Sequence, residues 1–202
     1  RARVLFFIGR PRGEGESGPG TAGRDIIELL QRFDFDAEAV YMHADGVFRS
    51  DPKQFPKQEG PERLARLLQQ PWDAFVSCHA RLDTLPPEAL ATIRERVTQG
   101  AGLIHFGPQP PPVMAEGRAL ATPPALTAGI PLDLLLAAPP RAAGKPKREP
   151  KPPALSLACR AAGRGRSLAV DFPGEPLAVT PAMEFDDTAA ARYEYWSAFA
   201  GR

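Results

Sequence analysis

Apolar positions in the first half of the chain alternate between short continuous runs and runs spaced three and four residues apart. Arg3–Gly9, RVLFFIG, is continuous and apolar, the pattern of a strand covered on both faces of a parallel sheet, and it is expected to be central. A glycine- and proline-rich stretch, Arg10–Ala22, follows, and Asp25, Ile26, Leu29, Leu30 and Phe33 then supply an amphipathic helix. Phe35–Met42 reads as the next strand. Asp45–Gly60 reads as a polar loop, and Pro61 opens a helix through Leu64, Leu67 and Leu68. The richest stretch is Trp72–Pro108. There Asp73–Cys78 is a short apolar run, Leu85–Gln99 has helical spacing, and Gly102–Phe106 is a second apolar run opening on glycine, which together make a parallel β-α-β unit.

Beyond Pro108 prolines punctuate the chain and regular structure is expected to thin out. Arg141–Pro153, RAAGKPKREPKPP, reads as an exposed loop whose basic residues serve solvation. Ala154–Ala161 and Ser167–Phe172 read as two strands around the turn Gly163–Arg166, a hairpin signal. Thr188–Ala200, after Asp186 and Asp187, reads as an amphipathic helix with Tyr193, Trp196 and Phe199 on a core face. The elements predict an α/β fold: a flavodoxin-like three-layer sandwich, with a mostly parallel central sheet and a C-terminal hairpin extension.

Composition narrows this picture. The chain has 202 residues, 43% of them hydrophobic and 24% charged, which suits one globular domain with a real core. No apolar run approaches the roughly 20 residues that span a bilayer. A formal net charge of +1 gives no broad reason to expect nucleic acid, and Lys145–Lys151 is the one local basic cluster. Cys78 and Cys159 are too few for a disulfide scaffold and are expected to be reduced thiols. The chain starts on Arg1 just before a strand and ends on Arg202 within a helical pattern, so residues 1–202 read as a single domain excised from a longer protein. The compartment of that parent, cytoplasm or cell envelope, is not written in these residues.

In open α/β sheets ligands sit just past the carboxyl ends of the strands, which singles out Gly9, His43, His79, His105 and Gly107 as the place for a small-molecule ligand. Cys78 and His79 are adjacent, and an imidazole-activated cysteine would be a nucleophile. Neighbouring strand residues point to opposite faces, however, and Ser77 and Ala80 are not the glycines of a nucleophile turn. Cys78 therefore reads as a buried strand-end thiol and Cys159 as a packing residue. His79 could meet His105 above adjacent strand ends, with Asp45 or Asp83 as a carboxylate. Three histidines without a helical pair or a carboxylate cluster make a weak metal set, so no metal or other cofactor is expected. The glycines between Gly9 and Gly23 match no phosphate-binding spacing, and Glu14 and Glu16 among them would repel phosphate.

The order of elements, the phrase WDAFVSCHARLDTLPPEALATIRERVTQGAGLIHFGP, the later GRGRSLAVDFPG and the helix start Tyr193-Glu194-Tyr195-Trp196 resemble the class I glutamine amidotransferase-like superfamily, in particular its ThuA-like and large membrane- or envelope-associated relatives. Active members carry a cysteine on a tight G-x-C-x-G turn and a downstream His-x-Glu pair. Here Phe106-Gly107-Pro108 stands where the cysteine would fall, and His43, His79 and His105 all precede the position of such a pair. The resemblance thus implies the fold and argues against glutamine hydrolysis. It implies a non-catalytic domain that binds or organises within a larger protein and contacts its neighbouring domains; the charge and the lack of a spanning run separately lead to the expectation of no nucleic acid and no membrane insertion. The alternative is a ThuA-like enzyme acting on a carbohydrate-related small molecule through His105, His79 and an acid such as Asp45 or Glu116.

Overall fold

The computed structural model describes residues 1–9, 33–42, 48–49, 60–107, 110–129 and 156–171. The readings made on Arg10–Ala22 and on the helix after it up to residue 32, on His43 and Asp45, on Arg141–Pro153 and on Thr188–Ala200 lie outside the described residues, as does most of the Asp45–Gly60 loop; within that loop Phe48–Arg49 is instead a short strand, and Gly60 already belongs to the helix that follows.

Each apolar run that falls within them is a strand. β1 (Ala2–Ile8), β2 (Phe35–Met42), β3 (Phe48–Arg49), β4 (Ala74–Cys78), β5 (Gly102–Phe106), β6 (Arg118–Leu120), β7 (Ser156–Ala162) and β8 (Gly165–Asp171) form one sheet in the order β3-β2-β1-β4-β5-β8-β7-β6. Five of them, β2, β1, β4, β5 and β8, are parallel neighbours. Numbered among themselves in chain order these five run 2-1-3-4-5, the winding of a flavodoxin-like α/β sandwich. β3 closes one edge antiparallel to β2, while β7 and β6 extend the other edge antiparallel to β8. The hairpin predicted from the GRGR turn is therefore the joint between the parallel core and its antiparallel extension.

Period-two alternation sends each strand's side chains to two faces, and on the central strands β1, β4 and β5 both faces are largely buried. On one, Leu5, Phe7, Phe75 and Leu103 meet the apolar stripes of α1 (Gly60–Leu68) and α2 (Pro87–Gln99), chiefly Leu64, Leu67, Ile93 and Val97. On the other, Val4, Phe6, Ile8, Val76, Phe106 and Val170 form a second cluster. No helix among the described residues is long and apolar enough to cross a membrane.

The helix read from Leu85 begins two residues later. Leu85 precedes Pro86, and Pro86 precedes Pro87, and a residue before proline is steered away from helical backbone. Both are extended, at φ −68°, ψ 155° and φ −51°, ψ 141°, and a short 3-10 turn at Leu82–Thr84 comes before them. Proline is tolerated at the first helical position, so α2 starts at Pro87. Its far end stops at Gly100, whose φ of 130° suits glycine alone. Beyond it, the Arg164 amide of the β7–β8 turn donates to the Thr98 carbonyl at 2.9 Å. That bond satisfies one of the carbonyls a helix terminus leaves without an intrahelical partner, and it ties the hairpin to the helix.

At the amino ends of β1 and β4 a second tie is built from Arg3, Trp72 and Asp73. The Arg3 amide donates to Asp73 Oδ2 at 2.8 Å, and the Asp73 amide donates back to the Arg3 carbonyl at 2.9 Å. The Trp72 indole donates to the Leu67 carbonyl of α1 at 2.7 Å, with the Arg3 guanidinium 5.1 Å from its ring centroid. These contacts tie the amino end of the sheet to α1.

Candidate functional site at the strand carboxyl ends

In a 2-1-3-4-5 sheet the winding direction reverses between the first and third parallel strands, here β1 and β4, and the crevice outside their carboxyl ends is where such folds place ligands. Gly9 and His79 follow these two strands directly, and Gly107 follows β5 next to them. Three of the sequence candidates are thus adjacent. Each continues the sheet by one backbone bond: the Gly9 amide donates to Cys78 O at 2.8 Å, the His79 amide to Phe106 O at 2.9 Å and the Gly107 amide to Val170 O at 3.0 Å.

The two glycines are required by His79. A Cβ on Gly9 would overlap the backbone of His79 and Ala80, and one on Gly107 would lie 2.7 Å from His79 Nδ1. Gly107 also has a φ of 124°, in the region that favours glycine. His79 itself has a φ of 50°, the left-handed region that non-glycine residues enter at a cost, and among the described residues no other non-glycine residue has positive φ. The strand alternation expected for Cys78 and His79 therefore breaks at His79. The chain turns there, and the half-buried imidazole lies across Gly107.

One level down, the other candidates separate to the two faces. Cys78, 2% exposed, belongs to the cluster of Val76 and Phe106. His105, 1% exposed, shares the alternation of Leu103 and lies on the helix-covered face. Its partner is Ser77, directly opposite on β4 and 0% exposed, with His105 Nδ1 3.1 Å from Ser77 Oγ. Sequence reasoning passed over Ser77. The signal was present, because a parallel β-α-β unit in this register sets the second-last residue of β4 against the second-last of β5, but it becomes usable only once the register is known.

The chemistry available follows from these positions. The three strand-end amides are committed to the sheet, so they are not donors aimed at a developing oxyanion. Cys78 and His105 are on opposite faces and do not make a thiol–imidazole pair. Asp83 is paired with Arg81 at 2.7 Å, and its hydrogen bond and charge hold that guanidinium above its ordinary range. Glu116 pairs with Arg94 at 2.7 Å on the exposed surface. Among the described residues no group of three histidine, cysteine, aspartate or glutamate side chains is arranged to hold a metal ion. Cys78 and Cys159 form no disulfide, and Cys159 sits half-buried on β7 opposite Leu168. What stands at the strand ends is thus two glycines packed against His79, with its imidazole laid across Gly107.

No family model matches the chain, and no curated protein matches it. Among solved structures, the cytoplasmic protein STM1381 from Salmonella typhimurium LT2 is similar, with 13% sequence identity and a TM-score of 0.48 over 98% of this chain and 96% of that one. The strand order and register are those of a flavodoxin-like α/β sandwich.

Proposed function

We propose that this chain is a class I glutamine amidotransferase-like domain that does not hydrolyse glutamine. It acts as a binding or organising module of a larger protein, taking a small-molecule ligand at the carboxyl ends of β1, β4 and β5. The observation that carries this reading is the coincidence of the winding reversal with Gly9 and His79. The residues suited to covalent chemistry fall elsewhere, with Cys78 buried on one face and His105 on the other. By the resemblance, the superfamily's nucleophile would fall in the sequence at Phe106-Gly107-Pro108, where there is no cysteine, and the Gly107 amide is bonded to Val170 O. The alternative of a ThuA-like enzyme needs His105, His79 and an acid around one substrate. Glu116 is engaged with Arg94, and His105 is enclosed with Ser77.

Incubation of the purified protein with an electrophilic glutamine analogue, followed by intact-mass measurement, tests the reading, with Cys78→Ala as the control. No selective adduct is expected. Stoichiometric labelling that depends on Cys78 and exceeds that by a generic thiol reagent would overturn it and make the chain a divergent amidotransferase.

A further inference from the structure

We propose that Ser77 and His105 form a buried positioning relay that holds the His79 imidazole over Gly107. The functional consequence rests on the strand-end binding reading above, because His79 is the side chain that would meet the ligand. The relay itself concerns the resting protein.

The pair stands in an otherwise apolar row. In register across the sheet, Ser77 and His105 lie between Phe7 on β1 and Ala169 on β8. Two polar side chains in such a layer are less favourable than two apolar ones of the same shape unless each polar atom is bonded. Their bonds lead toward the candidate site. Ser77 Oγ is 3.3 Å from the Ala80 carbonyl, and His105 Nδ1 is 3.1 Å from the same Oγ.

Proton accounting gives the relay a direction. A carbonyl only accepts, so the single hydroxyl proton of Ser77 goes to Ala80 O, and Oγ in turn accepts from His105. The relay thus requires a proton on His105 Nδ1. In that state the imidazole nitrogen beside Ser77 does not accept the hydroxyl proton, so the pair is not a nucleophile and its base.

The bond from Ser77 to Ala80 spans Cys78 and His79. One end of the segment is held by the His79 amide on Phe106 O, and the other by Ser77 on Ala80 O. Between these anchors His79 takes its left-handed backbone, and its Cε1 comes within 3.2 Å of the place a Gly107 Cβ would occupy. A strained conformation persists where its surroundings over-determine it, and the relay is one of those constraints. Ser77 and His105 are thus positioning residues, acting on His79 through the Ala80 carbonyl.

Imidazole NMR of the full chain tests this, since only three histidines contribute signals. In the wild-type protein His105 should be protonated on Nδ1, and a cross-relaxation peak should connect His79 Hε1 to Gly107 Hα. In Ser77→Ala that peak should be lost and the His79 ring signals should shift, while Ser77→Thr, which keeps the hydroxyl, should retain both. A His105 without a proton on Nδ1 would overturn the relay, as would an unchanged His79–Gly107 peak with unchanged shifts in Ser77→Ala. Should Ser77→Ala fail to fold, the wild-type Nδ1 proton decides, its presence supporting the relay and its absence sinking it. No ligand enters these measurements, so failure of the relay leaves the glutamine-analogue result standing, and the reverse also holds.

Discussion

Trp72→Ala is expected to cost about 3–5 kcal/mol of folding stability, the range for truncating a buried aromatic side chain to alanine. Trp72 is buried at the point where α1, β1 and β4 meet, and it contributes in three ways. Its ring fills the helix-covered core, its indole N–H satisfies the Leu67 carbonyl at 2.7 Å, and its face receives the Arg3 guanidinium. Alanine removes all three. Trp72→Phe keeps much of the packing and loses the indole donor, so it should cost less, with about 1 kcal/mol from the hydrogen bond. Urea unfolding of the wild type and both variants checks the order. A Trp72→Ala midpoint within experimental error of wild type would show that the amino-end tie does not hold the sheet to α1.

Gly9→Ala is expected to destabilise by about 1–3 kcal/mol and toward the top of that range, as an overpacked site whose neighbours are backbone atoms. The added methyl would meet the His79 carbonyl and the Ala80 Cα, neither of which can rotate aside, so β1 and β4 must separate at their carboxyl ends. Gly107→Ala gives an instructive contrast. Its methyl would meet the His79 ring, which can move, and its remaining cost of about 1–3 kcal/mol is the positive φ of 124°. In a His79→Ala background the cost of Gly107→Ala should fall, whereas that of Gly9→Ala should not, because the Gly9 overlap is with the main chain. A double-mutant cycle by denaturant unfolding measures both couplings. Equal coupling of His79→Ala to the two glycine substitutions would contradict the geometry described for the strand ends.

Much of the fold was legible because its signals are local. Phe35–Met42 and Gly102–Phe106 were read at the bounds the structure shows, since a short apolar run between polar or glycine-rich flanks has few alternatives. The GRGR turn was read as a hairpin, and β7 and β8 pair through it with Ala162 opposite Gly165. The helix start was misplaced by two residues because hydrophobic spacing continues through Leu85 while the proline pair forbids helical backbone there. The candidate site was legible in part. Gly9, His79 and Gly107 were named from the strand-end rule and do come together, whereas His105 was named as their companion and is instead bonded to Ser77 beneath them.

The amino-acid pattern by itself determined the longer strands and the two helices of the described residues to within about two residues, and that the sheet has a parallel core, because burial on both faces demands continuous apolar runs and crossover helices demand a 3.6-residue period; it did not show the short edge strands Phe48–Arg49 and Arg118–Leu120. It also determined the absence of a cysteine between Phe106 and Pro108. Only the tertiary structure decided the 2-1-3-4-5 order, the pairing of Ser77 with a histidine 28 residues away and the left-handed turn at His79. Those features depend on which strands lie side by side and in what register. Register is set by packing across the whole sheet, through contacts between residues that no local window contains.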